Sequence, residues 1–261
     1  MSKPEAKPTA RYREAALRPA NELGTVCFRA TWTGERPAVE PIRGLIETKD
    51  GAAWGEKQNP YTPRIGDDGG LADVCVEIDV PGAPAIDWPH PKFDVVHGER
   101  ELRIDAADGT SPRAAFVPVG SAVTFRAERT KVQIRGRGSE YFSRNLWTDG
   151  ATFRREMSHL GRCEITSGTG APWSVVELIA VDHPYTGTTD ERGFATIAGL
   201  PPGTYEATAT LQSWTIAGRD RDPETGKLMR LAFAAPIVRR AKAIVEAGRT
   251  CEMAVAFEAV H

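Results

Sequence analysis

The stretch VVELIAVDHPYTGTTDERGFATIAGLPPGTYEATA, residues 175–209, decides the fold. Apolar and β-branched runs alternate in it with turn chemistry. Thr189-Asp190-Glu191-Arg192-Gly193 separates two strands, and Leu200-Pro201-Pro202-Gly203 precedes a third. Gly193 supplies the positive φ that a hairpin turn demands, and Pro202-Gly203 suits a tight turn. Short strands at this spacing predict an all-β protein.

Working outward, the same signal recurs. Gly24–Trp32 alternates well enough for a first strand, ended by Thr33-Gly34-Glu35-Arg36-Pro37. Residues 38–66 carry much Pro, Gly and charge and read as a long surface excursion. Gly66–Gly70 is a turn, Leu71–Val80 a strand, and Pro81–Pro91 a rigid loop carrying Trp88. Shorter strands follow at Lys92–Val96, Glu101–Asp105, Arg113–Val117 and Ala122–Ala127. A break near Val181 opens a second, smaller sandwich. It includes a charged protruding loop between Gly218 and Arg230 and a closing hairpin, 243–246 with 250–258, turned at Ala247-Gly248. The 19 prolines and 25 glycines favour this pattern of short strands over long helices. Residues 1–22 read as a polar, proline-punctuated arm.

Composition excludes several classes. A net charge of −2 draws the chain neither to nucleic acid nor to acidic lipid. No apolar run reaches the ~18–20 residues needed to span a bilayer as a helix. The N-terminus has no apolar h-region, so no signal peptide is read, and a full-length chain is expected in the cytoplasm. Cys27, Cys75, Cys163 and Cys251 are widely spaced and form no CxxC pair. The reading favoured for them is buried free thiols, with a disulfide or a metal role as alternatives.

The motif residues Asp182-His183-Pro184-Tyr185, Thr189-Asp190 with Gly193 and Phe194, and Pro201-Pro202-Gly203-Thr204-Tyr205 carry a family likeness. They resemble the carboxypeptidase regulatory-like domain that follows a cupredoxin-like domain in a bacterial family of plastocyanin-like and methylamine-utilisation-like proteins. Gly24-Thr25-Val26 with Gly34 and Pro37, and Gly69–Val74, look like that family's opening. The resemblance implies a cupredoxin-like β-sandwich over 23–180, followed by a transthyretin-like, carboxypeptidase regulatory-like β-sandwich over 181–261, joined tightly through Val175–Val181. It also implies a periplasmic or secreted location, in conflict with the missing signal.

Copper-binding relatives would hold a type 1 copper with two histidines, a cysteine and a methionine, the weak thioether tuning the potential. Cys163 stands where the cysteine is expected. Thr166 occupies the second histidine's place, Lys131–Ile134 offers no imidazole, and Ser167–Pro172 replaces the methionine. A rebuilt copper site would draw on Cys163, His159 and Met157, which share one face if the segment is a strand. No metal or other cofactor is expected.

Nor is an enzyme expected. The chain has no Gly-x-Ser-x-Gly elbow, phosphate loop or His-Glu-x-x-His motif. Arg135-Gly-Arg-Gly-Ser139 reads as a solvated loop, and His90, His97 and His183 stand in contexts that do not suggest ligation. The function expected is therefore a non-catalytic binding or structural protein whose partner is a protein or a glycan. Loop aromatics Trp54, Tyr61 and Trp88 are its anchors. An electron carrier with the rebuilt copper site is one alternative. An assembly subunit, forming an oligomer through the N-terminal arm, is another.

Overall fold

A computed structural model describes residues 22–48, 51–82, 93–98, 101–168, 171, 173–224, 226 and 228–258, the side chains of 45–48 and 51–54 excepted. Trp88 and, but for Glu22, the expected arm lie outside the described residues. The first ten strands are β1 (Gly24–Trp32), β2 (Ile42–Thr48), β3 (Gly51–Lys57), β4 (Cys75–Asp79), β5 (Phe93–His97), β6 (Leu102–Ala106), β7 (Ala114–Pro118), β8 (Ala122–Ala127), β9 (Val132–Gly138) and β10 (Phe142–Leu146). The rest are β11 (Thr152–Glu156), β12 (Gly161–Ser167), β13 (Val175–Val181), β14 (Thr186–Thr188), β15 (Phe194–Leu200), β16 (Gly203–Leu211), β17 (Ile216–Arg221), β18 (Leu228–Phe233), β19 (Ile237–Val245) and β20 (Thr250–Phe257). The protein is all-β, as expected, and no helix among the described residues is long and apolar enough to cross a membrane.

Four sheets make two sandwiches. In one, β15-β1-β20 packs on β14-β4-β16-β19 around Val26, Phe28, Ile78, Leu200 and Phe257. In the other, β10-β9-β12-β13-β7 packs on β11-β8-β5-β6 around Ile104, Phe125, Ile134, Ile165 and Leu178. Each strand contributes through its alternation. In β1, Val26, Phe28, Ala30 and Trp32 point inward while their neighbours stay half-exposed. A Val or Phe among them contributes roughly 1.5–3 kcal/mol when fully buried.

The pairing divides the chain differently from the expected boundary at residue 180. β1 pairs with β15 antiparallel and with β20 in parallel, and β4 lies between β14 and β16. The second sandwich, β5 to β13, is thus an insertion within the first, which both ends of the chain build. Alternation shows which face of β1 is buried, but not which strand will satisfy its backbone.

Three smaller expectations also change. Residues 38–66 contain the β2–β3 hairpin, whose Ile42 packs with Leu228 and Leu231 of the β17–β18 hairpin. The expected closing hairpin is an arch: β19 pairs with β16 and β20 with β1, in different sheets. Arg135–Gly138 belongs to β9 and is no loop. Gly136 sits opposite Phe142, whose ring covers it so closely that a Cβ would lie 2.2 Å from Cε1.

The Thr189-Asp190 motif works through hydrogen bonds to two other segments. Thr189 Oγ1 accepts from Val74 N at 2.9 Å and donates to Leu71 O at 2.7 Å. Asp190 Oδ1 accepts from Arg192 N and Phe194 N, which folds the turn around Gly193 at φ 80°.

The sandwiches meet at β13, which is buried at all seven positions. Val176, Leu178 and Ala180 enter the inserted core. Ile179 and Val181 on the opposite face join Cys75 and Ala114 between the two units. A strand covered on both faces reads as the near-continuous apolar run seen here. That double burial packs β13 tightly between the two sandwiches.

Candidate functional site

The three residues of the rebuilt copper set do not all lie in the same surroundings. Cys163 and Met157 are fully buried in the apolar core of the inserted sandwich. His159 lies between β11 and β12, not on a strand, so the shared face is lost. Its side chain is 71% exposed, and Nδ1 meets Glu140 Oε1 at 2.9 Å. Glu140 also accepts from Arg155 and from the Ser158 and His159 backbone N–H groups. Burial raises its pKa, yet these hydrogen bonds outweigh that and hold it below the usual 4.5. Burial pushes the Cys163 thiol up to about 11. A type 1 site joins a thiolate to two imidazoles; here burial keeps the Cys163 thiol protonated, and the His159 ring is engaged by Glu140. All four cysteines are free.

At the far end of β12 the structure places a pair that the sequence reading passed over. Ser167 lies within the segment replacing the expected methionine, and its hydroxyl sits 2.9 Å from His97 Nε2. His97 Nδ1 lies 3.0 Å from Gly98 O. A carbonyl only accepts, so Nδ1 carries the proton and Nε2 accepts from serine. The geometry is that of a serine–histidine dyad, but His97 and Ser167 are only 2% and 6% exposed, leaving no approach for a substrate. The pair closes the end of the sandwich.

Burial lowers the His97 pKa below 6.5. Its contribution to stability is therefore full above that value and is lost as pH falls through the lowered folded value. Urea midpoints measured from about pH 7 to about pH 5 should fall for the native chain and fall less steeply for His97→Gln. Equal slopes would show that His97 titrates as it does unfolded.

Between the sandwiches, Glu177 on β13 gathers three donors. Tyr61 OH lies 3.0 Å from Oε1, while Arg162 Nη1 and Gln212 Nε2 lie 2.6 and 2.8 Å from Oε2. Tyr61, expected as an exposed anchor, is buried at 7% exposure and packs edge-on against Phe233. Nearby, Arg64 grips Asp73 with two bonds of 2.6 and 2.7 Å, and Arg113 N reaches the same carboxylate. A cavity of about 390 Å³ beside this network is lined by Cys75, Arg162, Glu77 and His183. Burial holds the Cys75 thiol up to about 12, so at neutral pH it is no nucleophile.

The most open chemistry lies on the outward face of the five-stranded sheet. β10 is its edge strand, and parity puts Tyr141, Ser143, Asn145 and Trp147 on one side, all exposed. Tyr141 is 80% and Trp147 66% exposed, unusual for side chains of that size. Six residues of extended chain set them about 20 Å apart. Ser143 stands opposite Arg135 and Asn145 opposite Gln133; beyond β9, Arg135 faces Thr166 and Arg137 faces Glu164. Arg230 of the β18 hairpin reaches the field of Glu164 as well. Burial raises the Glu164 pKa, with Arg230 and Arg137 opposing the rise. No hydrogen bond or ion pair engages the Arg135 or Arg137 guanidinium among the described residues. Alternation in Tyr-Phe-Ser-Arg-Asn-Leu-Trp, broken only at Arg144, was the signal that would have found this face. Of the expected anchors, Trp54 stands opposite Leu45 in the β2–β3 hairpin, its side chain outside the described ones.

No known family model and no curated protein matches the sequence. A solved structure, a novel purple cupredoxin from Nitrosopumilus maritimus, is similar to part of the chain. It shares 18% identity with a TM-score of 0.27, covering 35% of this chain and 99% of that one.

Proposed function

We propose that the chain is a non-catalytic binding protein: a cupredoxin-like scaffold set within a carboxypeptidase regulatory-like sandwich, which offers the β9–β10 face to a protein or glycan partner. The observation that carries this reading is the row Tyr141, Ser143, Asn145 and Trp147, exposed beside two guanidiniums that make no hydrogen bond or ion pair among the described residues. Aromatic and arginine side chains are the residue types that anchor interfaces. The protonated, buried thiols of Cys75 and Cys163 fit a scaffold and not a reaction centre.

The test has two arms. Immobilised protein should capture a partner from a cell and medium extract, and the double substitution Tyr141→Ala with Trp147→Ala should lose it while keeping the native melting temperature. Unchanged capture would move the binding site elsewhere. Titration with copper(II) should leave the protein colourless. An intense thiolate-to-copper band that Cys163→Ala abolishes would make the chain an electron carrier.

A further inference from the structure

We infer, resting on that reading, that the occupant of the β9–β10 face is an acidic polysaccharide, one carrying carboxylate or sulfate groups along its length.

The spacing of the two rings is the first argument. Tyr141 and Trp147 bracket an extended strand, so a ligand touching both must itself be extended over about 20 Å. A sugar chain presents flat, weakly polar C–H faces that stack on such rings, alternating with hydroxyl edges. Between the rings lie groups suited to those edges: Ser143, Asn145 and Gln133 offer hydroxyl and amide donors and acceptors.

Charge supplies the second argument. Although the chain carries −2 overall, Arg135, Arg137 and Arg230 gather around Glu164 on this face, while Glu177, opposite Glu164 on β13, is already engaged by Arg162. Several buried or half-buried arginines are spent on protein carboxylates: Arg64 on Asp73, Arg103 on Asp105 and Glu128, Arg162 on Glu177. Among the described residues neither Arg135 nor Arg137 makes such an ion pair, though Arg137 faces Glu164 across the strands, and a planar guanidinium matches a ligand carboxylate or sulfate with two parallel bonds. A neutral glycan would leave that charge unused. A nucleic acid fits less well, because stacked bases need rings a few ångströms apart.

The full chain is tested by calorimetry against polygalacturonate, neutral dextran and single-stranded DNA. Polygalacturonate should bind and dextran should not. Tyr141→Ala and Trp147→Ala should each weaken binding by about tenfold or more, as loss of an aromatic anchor does. Arg135→Gln with Arg137→Gln should weaken it similarly and flatten its fall between roughly 0.05 and 0.5 M salt, where screening tightens. Tyr141 and Trp147 are solvent-exposed, so an unchanged melting temperature separates lost contact from lost fold.

Dextran binding as tight as polygalacturonate's, and sensitive to the same rings, would overturn the acidic specificity and leave the binding reading intact. Capture from the extract without binding to either polysaccharide would overturn the glycan and point to a protein. DNA binding equal to polygalacturonate binding would reduce the face to a general anion surface. Loss of neither kind of binding in the ring variants would overturn the face itself.

Discussion

Gly193→Ala is expected to cost roughly 3–5 kcal/mol, enough to leave the first sandwich marginal. Two effects add. The residue sits at φ 80°, where a Cβ costs about 1–2 kcal/mol. That Cβ would also stand 2.3 Å from Ala30 O and 2.7 Å from Leu71 N, both backbone atoms that cannot swing aside. The turn is pressed against β1 because Gly193 O accepts from Ala30 N at 2.8 Å, so relieving the clash breaks a bond between β1 and the turn that opens β15. Urea unfolding reads the effect directly: the midpoint should drop by more than about 1 M. A midpoint within a few tenths of the native value would mean that the turn relaxes without pulling on β1.

Glu177→Ala is expected to cost about 2–4 kcal/mol, below the usual range for a broken buried pair because Arg162 keeps some solvent contact. The loss strands Tyr61 OH and Gln212 together with the guanidinium. These come from different segments, so the damage concentrates at the join between sandwiches. Calorimetric unfolding should lower the transition temperature, and Glu177→Gln, which still accepts hydrogen bonds, should recover part of it. If Glu177→Ala unfolds like the native protein, the join is held by Ile179 and Val181 alone.

How legible these features were follows from how far each reaches along the chain. The turn at Thr189–Gly193 was readable because its geometry is local: an aspartate closing onto its own backbone and a glycine at positive φ. The outlet for Thr189 Oγ1, in contrast, lies on Leu71 and Val74, 118 and 115 residues away. Tyr61 was misjudged for the same reason. Its proline-rich surroundings suggest exposure, whereas Glu177, 116 residues on, buries it. His159 and Cys163 share a face only if residues 157–163 are one strand, and the chain turns between them. The open face went unread because its strands are rich in arginine, and charge there suggested a solvated loop. Alternation was present all along, with Phe142 and Leu146 facing in and Tyr141 and Trp147 facing out.

The insertion of β5 to β13 between β4 and β14 sets a timetable for synthesis. Strand β1 leaves the ribosome early, but its neighbours β15 and β20 are translated more than 160 residues later. At typical rates of about 5–20 residues per second, β1 waits roughly 8–35 s for β15 with both edges unpaired, and roughly 10–45 s for β20 to cover the second. The inserted sandwich has all its strands in one continuous segment and can close during that interval, bringing β4 and β14 close together before the ends arrive. Until then a nascent β1 with Val26, Phe28 and Trp32 uncovered is the segment that a chaperone, or a neighbouring chain, would meet first.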